Sequence, residues 1–182
     1  MKTRDVDILI VPGLGGSGSE HWQTRWENRL PSARRVQQRD WDAPDRKEWR
    51  DAIVEAVGQA ERPVVLIAHS LGCISVTDAA DHLPSGNVVG GFLVAPPDTE
   101  EARIPDSIRD FAPISREPMP FPCFLVASQS DPYCEYPRAE ELARDWGAFL
   151  LDAGQSGHIN SESGHGPWPE GLMVFARFMS NL

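Results

Sequence analysis

Val64-Val65-Leu66-Ile67-Ala68-His69-Ser70-Leu71-Gly72 is the stretch on which the reading of this chain turns. Val64 to Ala68 form an unbroken apolar run, the pattern of a strand buried on both faces. Leu71, Cys73, Ile74, Val76, Ala79 and Ala80 follow, apolar or small nearly all round, which suits a helix packed behind a central strand. Ser70 falls at the junction. On a sharp strand-to-helix turn its hydroxyl would stand clear of the sheet edge, with the amide of the next residue aimed at whatever the hydroxyl attacks. Such a turn brings backbones together, so the residues two before and two after the serine must be small. Gly72 meets that requirement and Ala68 comes within one methyl of it, giving A-x-S-x-G in place of G-x-S-x-G. The plainer alternative is an ordinary strand–loop–helix junction at which Ser70 merely caps the helix.

Outward from this stretch, strands and helices alternate. Val6 to Pro12 reads as a second buried strand, ending on Gly13-Leu14-Gly15-Gly16-Ser17-Gly18. Ser17-x-x-Glu20 has the form of a capping box for a helix with Trp22, Trp26 and Leu30 on one face. Arg35 to Arg39 is polar enough for an edge strand. Asp45-x-x-Glu48 opens the clearest helix, with Trp49, Ala52, Ile53, Ala56, Val57 and Ala60 at i, i+3, i+4, i+7, i+8 and i+11. Val88 to Ala95 is another buried strand, ended by Pro96-Pro97. Residues 100–120, broken by Pro105, Pro113, Pro118 and Pro120, are expected to form a loop with a small lid. Ile104, Ile108, Phe111 and Ile114 share one face of it. Phe121 to Ala127 and Ala148 to Leu151 complete the strands. Between them lie the exit turn Ser128–Pro132 and a helix from Pro137 to Trp146, stopped by Gly147. The loop Asp152–Trp168 and a helix from Glu170, with Leu172, Phe175 and Met179 inward, end the chain. This alternation predicts a single α/β domain over residues 1–182. The expected architecture is a three-layer sandwich with a mostly parallel sheet of about six strands, ordered 2-1-3-4-5-6 by analogy with its fold class.

Composition narrows the function classes. Over 182 residues, 41% hydrophobic and 24% charged side chains are globular proportions, and a net charge of -10 disfavours nucleic acid and anionic membrane as partners. Cys73, Cys123 and Cys134 offer neither a disulfide framework nor a C-x-x-C metal pair, and the chain as a whole is expected to work without metal or cofactor. Acids among the first residues, and an apolar run Ile8–Val11 too short for a signal peptide or a membrane span, point to a cytoplasmic protein, and the expected partner is a small-molecule substrate.

Right-handed crossovers bring the carboxyl ends of parallel strands to one edge, where such sheets bind ligands. The exit loops there carry Gly13–Gly18, Ser70, Pro96–Thr99, Asp131 and Gly157-His158. A serine hydroxyl becomes a nucleophile only with a base to take its proton, a group to orient that base, and donors for the oxyanion. Ser70, Asp131 and His158 supply nucleophile, acid and base in the order used by nucleophile-elbow hydrolases. The backbone N–H groups of Leu14 and Leu71 are the expected oxyanion donors, one in the glycine turn and one heading a helix.

Val11-Pro12-Gly13-Leu14-Gly15-Gly16, Ala68-His69-Ser70-Leu71-Gly72, Ser130-Asp131-Pro132, Gly157-His158-Ile159-Asn160 and Gly164-His165-Gly166-Pro167-Trp168-Pro169-Glu170-Gly171 together resemble the small serine-hydrolase family that includes retinoblastoma-binding protein nine. The likeness spans nearly the whole chain. It implies a minimal α/β-hydrolase fold without a large cap domain, with Ser70 as nucleophile, Asp131 as acid and His158 as base. The expected activity is hydrolysis of a small ester or related acyl substrate through an acyl-enzyme, as in carboxylesterases. The family's L-x-C-x-E partner motif is not met, since Ser75 stands where the glutamate is needed.

Two other classes compete. Gly13–Gly18 fits G-x-G-x-x-G between a strand and a helix, with Asp40 near the place of a ribose-binding acid, as in a dinucleotide-binding oxidoreductase. A non-catalytic interaction module on a hydrolase scaffold is the other. Among single residues, His165 is the rival base and Asp98 the rival acid. His69 is read as a packing or pocket residue pointing away from Ser70, and His21 and His82 as solvated. Cys73 is read as a buried hydrophobe and Cys134 as exposed. Gly13, Gly15, His69, Pro96 and Trp168 are the expected pocket residues, with core packing the alternative for Trp168 and for the apolar set at 104–114.

Overall fold

Alternating side chains of the central strands feed two separate apolar cores, and this makes the sheet the middle layer. In the computed structural model, which describes residues 1–182, six strands form one parallel sheet ordered β2-β1-β3-β4-β5-β6. They are β1 (Asp7–Val11), β2 (Ala33–Arg35), β3 (Val64–His69), β4 (Val88–Val94), β5 (Cys123–Ala127) and β6 (Phe149–Asp152). Leu9, Val11, Leu66, Ala68, Leu93 and Leu125 face the larger core, shared with α2 (Arg46–Gly58), α3 (Leu71–Ala79) and α4 (Tyr136–Asp145). Ile8, Ile10, Val65, Ile67, Phe92 and Val94 face the second, closed by α1 (Trp22–Glu27) and α5 (Pro169–Asn181). The fold is thus the expected three-layer α/β sandwich, in the expected strand order and without a large cap. No helix is long and apolar enough to cross a membrane.

Local signals explain most elements. The Asp45 carboxylate accepts from the Glu48 N–H at 2.8 Å and starts α2, whose buried stripe is Trp49, Ile53 and Val57. The Ser17–Glu20 capping box does not form. The His21 ring instead accepts from the Gln23 N–H, α1 begins at Trp22, and the Ser17 hydroxyl donates to Gln23 Oε1. β2 lies two residues before the run read as the edge strand, at Ala33–Arg35. On α5, Leu172 is exposed and Phe178 is buried in its stead, alongside Phe175 and Met179. The buried face of α5 runs through Gly171, Phe175, Phe178 and Met179, and Leu172 lies at its edge. The helical period therefore allows either residue, and packing against the sheet selects Phe178. In the 100–120 segment, Ile104, Ile108, Phe111 and Ile114 are all buried in the larger core, Ile108 and Phe111 on a 3₁₀ turn (Asp106–Phe111). Arg46 ties that segment to the body, pairing with both Asp78 oxygens and donating to the Ala112 and Pro113 carbonyls at 2.9 Å.

The turn between β3 and α3 is tight enough to dictate sequence. A Cβ at position 72 would lie 2.3 Å from the Val11 carbonyl oxygen and 2.7 Å from that of Pro12. Gly72→Ala is therefore expected to cost about 3 kcal/mol, because rigid strand backbone must shift, and a urea titration would measure it.

Candidate active site

Ser70 sits at φ 54° and ψ −129°, a conformation that side chains rarely adopt. Its side chain does not cap α3. The position 13 backbone packs directly against it, since a Cβ there would lie 2.8 Å from Ser70 Cβ and 3.1 Å from the Leu71 nitrogen. The Gly13–Leu14 turn and the start of α3 therefore face the same small volume. As the first residue of α3, Leu71 has an amide with no intrahelical acceptor.

Three side chains from separate loops converge here. His158 Nε2 lies 2.8 Å from Ser70 Oγ, and His158 Nδ1 lies 2.9 Å from each carboxylate oxygen of Asp131. The Tyr133 N–H donates to Asp131 Oδ1 at 2.9 Å, fixing the carboxylate, while the Tyr133 ring stands edge-on to that of His158. With the Asp131 carboxylate accepting the Nδ1 proton, Nε2 is left as the acceptor for the serine hydroxyl. The Asp131 side chain is 3% exposed and that of His158 9%, so both act in a largely dry setting.

Two serines that the sequence reading passed over join the acid loop to the histidine loop. Ser128 Oγ accepts from the Ser156 N–H at 2.9 Å and donates to the Gly154 carbonyl, and Ser130 Oγ accepts from the Gly157 N–H at 3.0 Å. Their signal in the sequence was faint: hydroxyls flanking an exit turn.

The other candidates are committed elsewhere. Asp98 pairs with Arg138 at 3.2 Å, and His165 Nδ1 with Ser163 Oγ at 3.1 Å. Cys73 is buried as expected, and burial pushes its thiol pKa up. Cys134 is not exposed: it is buried, and burial, with the nearby Asp131 and Asp98 charges, pushes its thiol up to about 12. His82 is exposed as expected.

His21 is not solvated. It is 5% exposed and packs edge-on against His69, because α1 starts one residue later and turns this ring inward as its cap. Burial above all, then the neighbouring His158 and Arg35, lowers its pKa to about 4. The unfolded chain binds more protons at this position between that value and its ordinary 6.5. Stability is therefore fully present above the ordinary value and drains away as the pH falls toward the lower one, by up to about 3 kcal/mol. His21→Asn, which keeps a capping acceptor, is expected to flatten that part of a plot of Tm against pH.

A cleft of about 350 Å³ opens over Ser70. Leu14, Leu71, Pro97, Pro105, Ile108 and Tyr133 give it apolar lining, and Ser17, His21, Asn160, Ser161 and Glu162 polar lining. Of the expected pocket residues, Gly15 and His69 border it, and Gly13 lies beneath Ser70. Pro96 is displaced from the lining by Pro97. Trp168 is not in the cleft: it is buried in the second core, stacked on Trp26 and edge-on to Trp22, where its indole finds more apolar surface. The glycine loop does not present a helix as a dinucleotide site does. α1 starts well past Gly18, is six residues long, and its Gln23 amide is taken by the His21 ring.

Comparison with known proteins shows the family and the fold. Residues 8–177 match the family model described as serine hydrolase. No curated protein matches the chain. Among solved structures, a YdeN-like hydrolase from Pectobacterium atrosepticum is 36% identical, with a TM-score of 0.85 over 97% of this chain and 91% of that one. The ydeN gene product of B. subtilis is 20% identical, with a TM-score of 0.74 over 96% and 98%. The esterase domain of a Rhodothermus marinus protein shares the fold at 16% identity, with a TM-score of 0.67 over 95% and 86%. With a minimal α/β sandwich, a serine on a strained strand-to-helix turn, and a family match running almost from end to end, this chain is a hydrolase that belongs to the serine hydrolase family.

Proposed function

We propose that the chain hydrolyses small carboxylic esters or related acyl compounds, through Ser70, His158 and Asp131 and an acyl-enzyme intermediate. The observation that carries this reading is the continuous hydrogen-bonded line from Ser70 Oγ through the imidazole of His158 to Asp131. His158 Nε2 takes the hydroxyl proton as Ser70 Oγ attacks the acyl carbon. Asp131 holds the proton on Nδ1 and stabilises the imidazolium that forms. The carbonyl oxygen, now an oxyanion, is received by the N–H groups of Leu14 and Leu71, each such donor being worth about 3 kcal/mol. His158 returns its proton to the leaving group, the ester bond breaks, and the acyl group stays on Ser70. Water then repeats the sequence, giving up a proton to His158 and releasing the acid and the free serine.

A cleft of about 350 Å³ is near the lower end of small-molecule sites and favours short acyl groups. Across p-nitrophenyl esters, kcat/KM is expected to be highest from acetate to butyrate and to fall by about tenfold or more at octanoate. A fluorophosphonate probe tests the mechanism in the same samples. Covalent labelling mapped to Ser70 is the expected result, and a wild-type protein that neither takes the probe nor cleaves any ester of the series would defeat the reading.

A further inference from the structure

The ring of His158 is held at both ends, but the backbone around it is sharply bent. Gly157 (φ 56°) and Ile159 (φ 47°) flank it, both in the left-handed region. A β-branched residue enters that region only where its surroundings impose it. Two ring N–H groups from outside the loop impose it here. His69 Nε2 donates to the His158 carbonyl at 2.9 Å, and Trp22 Nε1 donates to the Ile159 carbonyl at 2.9 Å. A carbonyl only accepts, so the His69 proton resides on Nε2. The two rings meet edge to face with centroids 5.9 Å apart, and both are buried. His69 ends β3 immediately before Ser70, and Trp22 begins α1.

We propose that His69 and Trp22 form a two-ring clamp on consecutive carbonyls of the histidine loop, and that this clamp sets the reach of His158 toward Ser70. Both act through His158 and are positioning residues. The inference rests on the reading of His158 as the base. One ring is anchored in the sheet and the other in a helix of the outer layer, so the loop cannot slide without losing both bonds. A misplacement of about 1 Å in a reacting group costs about 100-fold in rate. Burial, with His158 and His21 beside it, holds the His69 pKa well below the ordinary histidine value. The clamp ring is therefore neutral and sets no positive charge against the imidazolium that forms on His158.

Steady-state cleavage of p-nitrophenyl acetate by His69→Phe, His69→Gln and Trp22→Phe tests the clamp. His69→Phe and Trp22→Phe are each expected to lower kcat by about 10- to 100-fold with KM within about threefold. His69→Gln, whose amide N–H can serve the same carbonyl, is expected to recover about tenfold of the loss. Amide hydrogen exchange over residues 156–160 should quicken in His69→Phe and not in His69→Gln. A kcat for His69→Phe within about twofold of wild type, or a glutamine variant no better than phenylalanine, overturns the proposal. If His69→Phe fails to fold, the kcat of Trp22→Phe and of His69→Gln decides by the same limits. If the wild type is inert to ester and probe, the proposed function fails, and exchange alone judges the clamp: equal protection in wild type and His69→Phe overturns it.

Discussion

Ser70→Ala is expected to lower turnover of an activated ester by about 10⁶-fold and to abolish fluorophosphonate labelling, because Ser70 Oγ is the hydroxyl that His158 Nε2 is placed to deprotonate. Cys134 does not take over, since burial raises its thiol to about 12 and leaves negligible thiolate at neutral pH. The same position yields a second, opposite effect. At φ 54° and ψ −129° a side chain is strained and glycine is not. Such strain costs about 1–3 kcal/mol. Ser70→Gly is therefore expected to be as inactive as Ser70→Ala, yet more stable than it by about 1–2 kcal/mol, read from urea midpoints of the two variants. Equal midpoints would show that the elbow stores no strain, and residual labelling of either variant would place the nucleophile elsewhere.

Asp131→Asn is the second large effect, a loss of about 10⁴-fold in kcat with the fold intact. The carboxylate accepts the Nδ1 proton of His158 through both oxygens at 2.9 Å. An asparagine amide turned toward that nitrogen donates instead, which moves the ring proton to Nε2. Ser70 then faces a donor rather than a base. Asp98 cannot substitute, because it is engaged with Arg138. Substrate binding does not involve this carboxylate, so KM should change little. A variant that kept its turnover would remove Asp131 from the mechanism.

Elements with a local cause are legible in the sequence. α2 was marked by its cap and its period, β3 by an unbroken apolar run, and the elbow by Gly72, whose lack of a side chain lets strand backbone pass within contact distance. Elements whose cause is distant were misjudged. His21 was read as solvated because only its helix neighbours are visible in the sequence, and the ring it meets, His69, lies on another layer. For Trp168 the sequence leaves pocket and core open alike, and the two tryptophans of α1 decide for the core by offering its indole a drier seat. Cys134 looked exposed because the burial that silences it comes from elements remote in sequence.

The sequence by itself determined the layers and the loops at which chemistry is concentrated. Periodicity and turn residues act over a few positions, and parallel connectivity then delivers every strand exit to one edge. Tertiary structure alone decided how those loops are held in register. The Ser128 and Ser130 bridges, the His69 bond to the His158 carbonyl and the Trp22 bond to that of Ile159 each join residues far apart along the chain. Such contacts depend on how loops close over a twisted sheet, and no local pattern of residues encodes a distance of that kind.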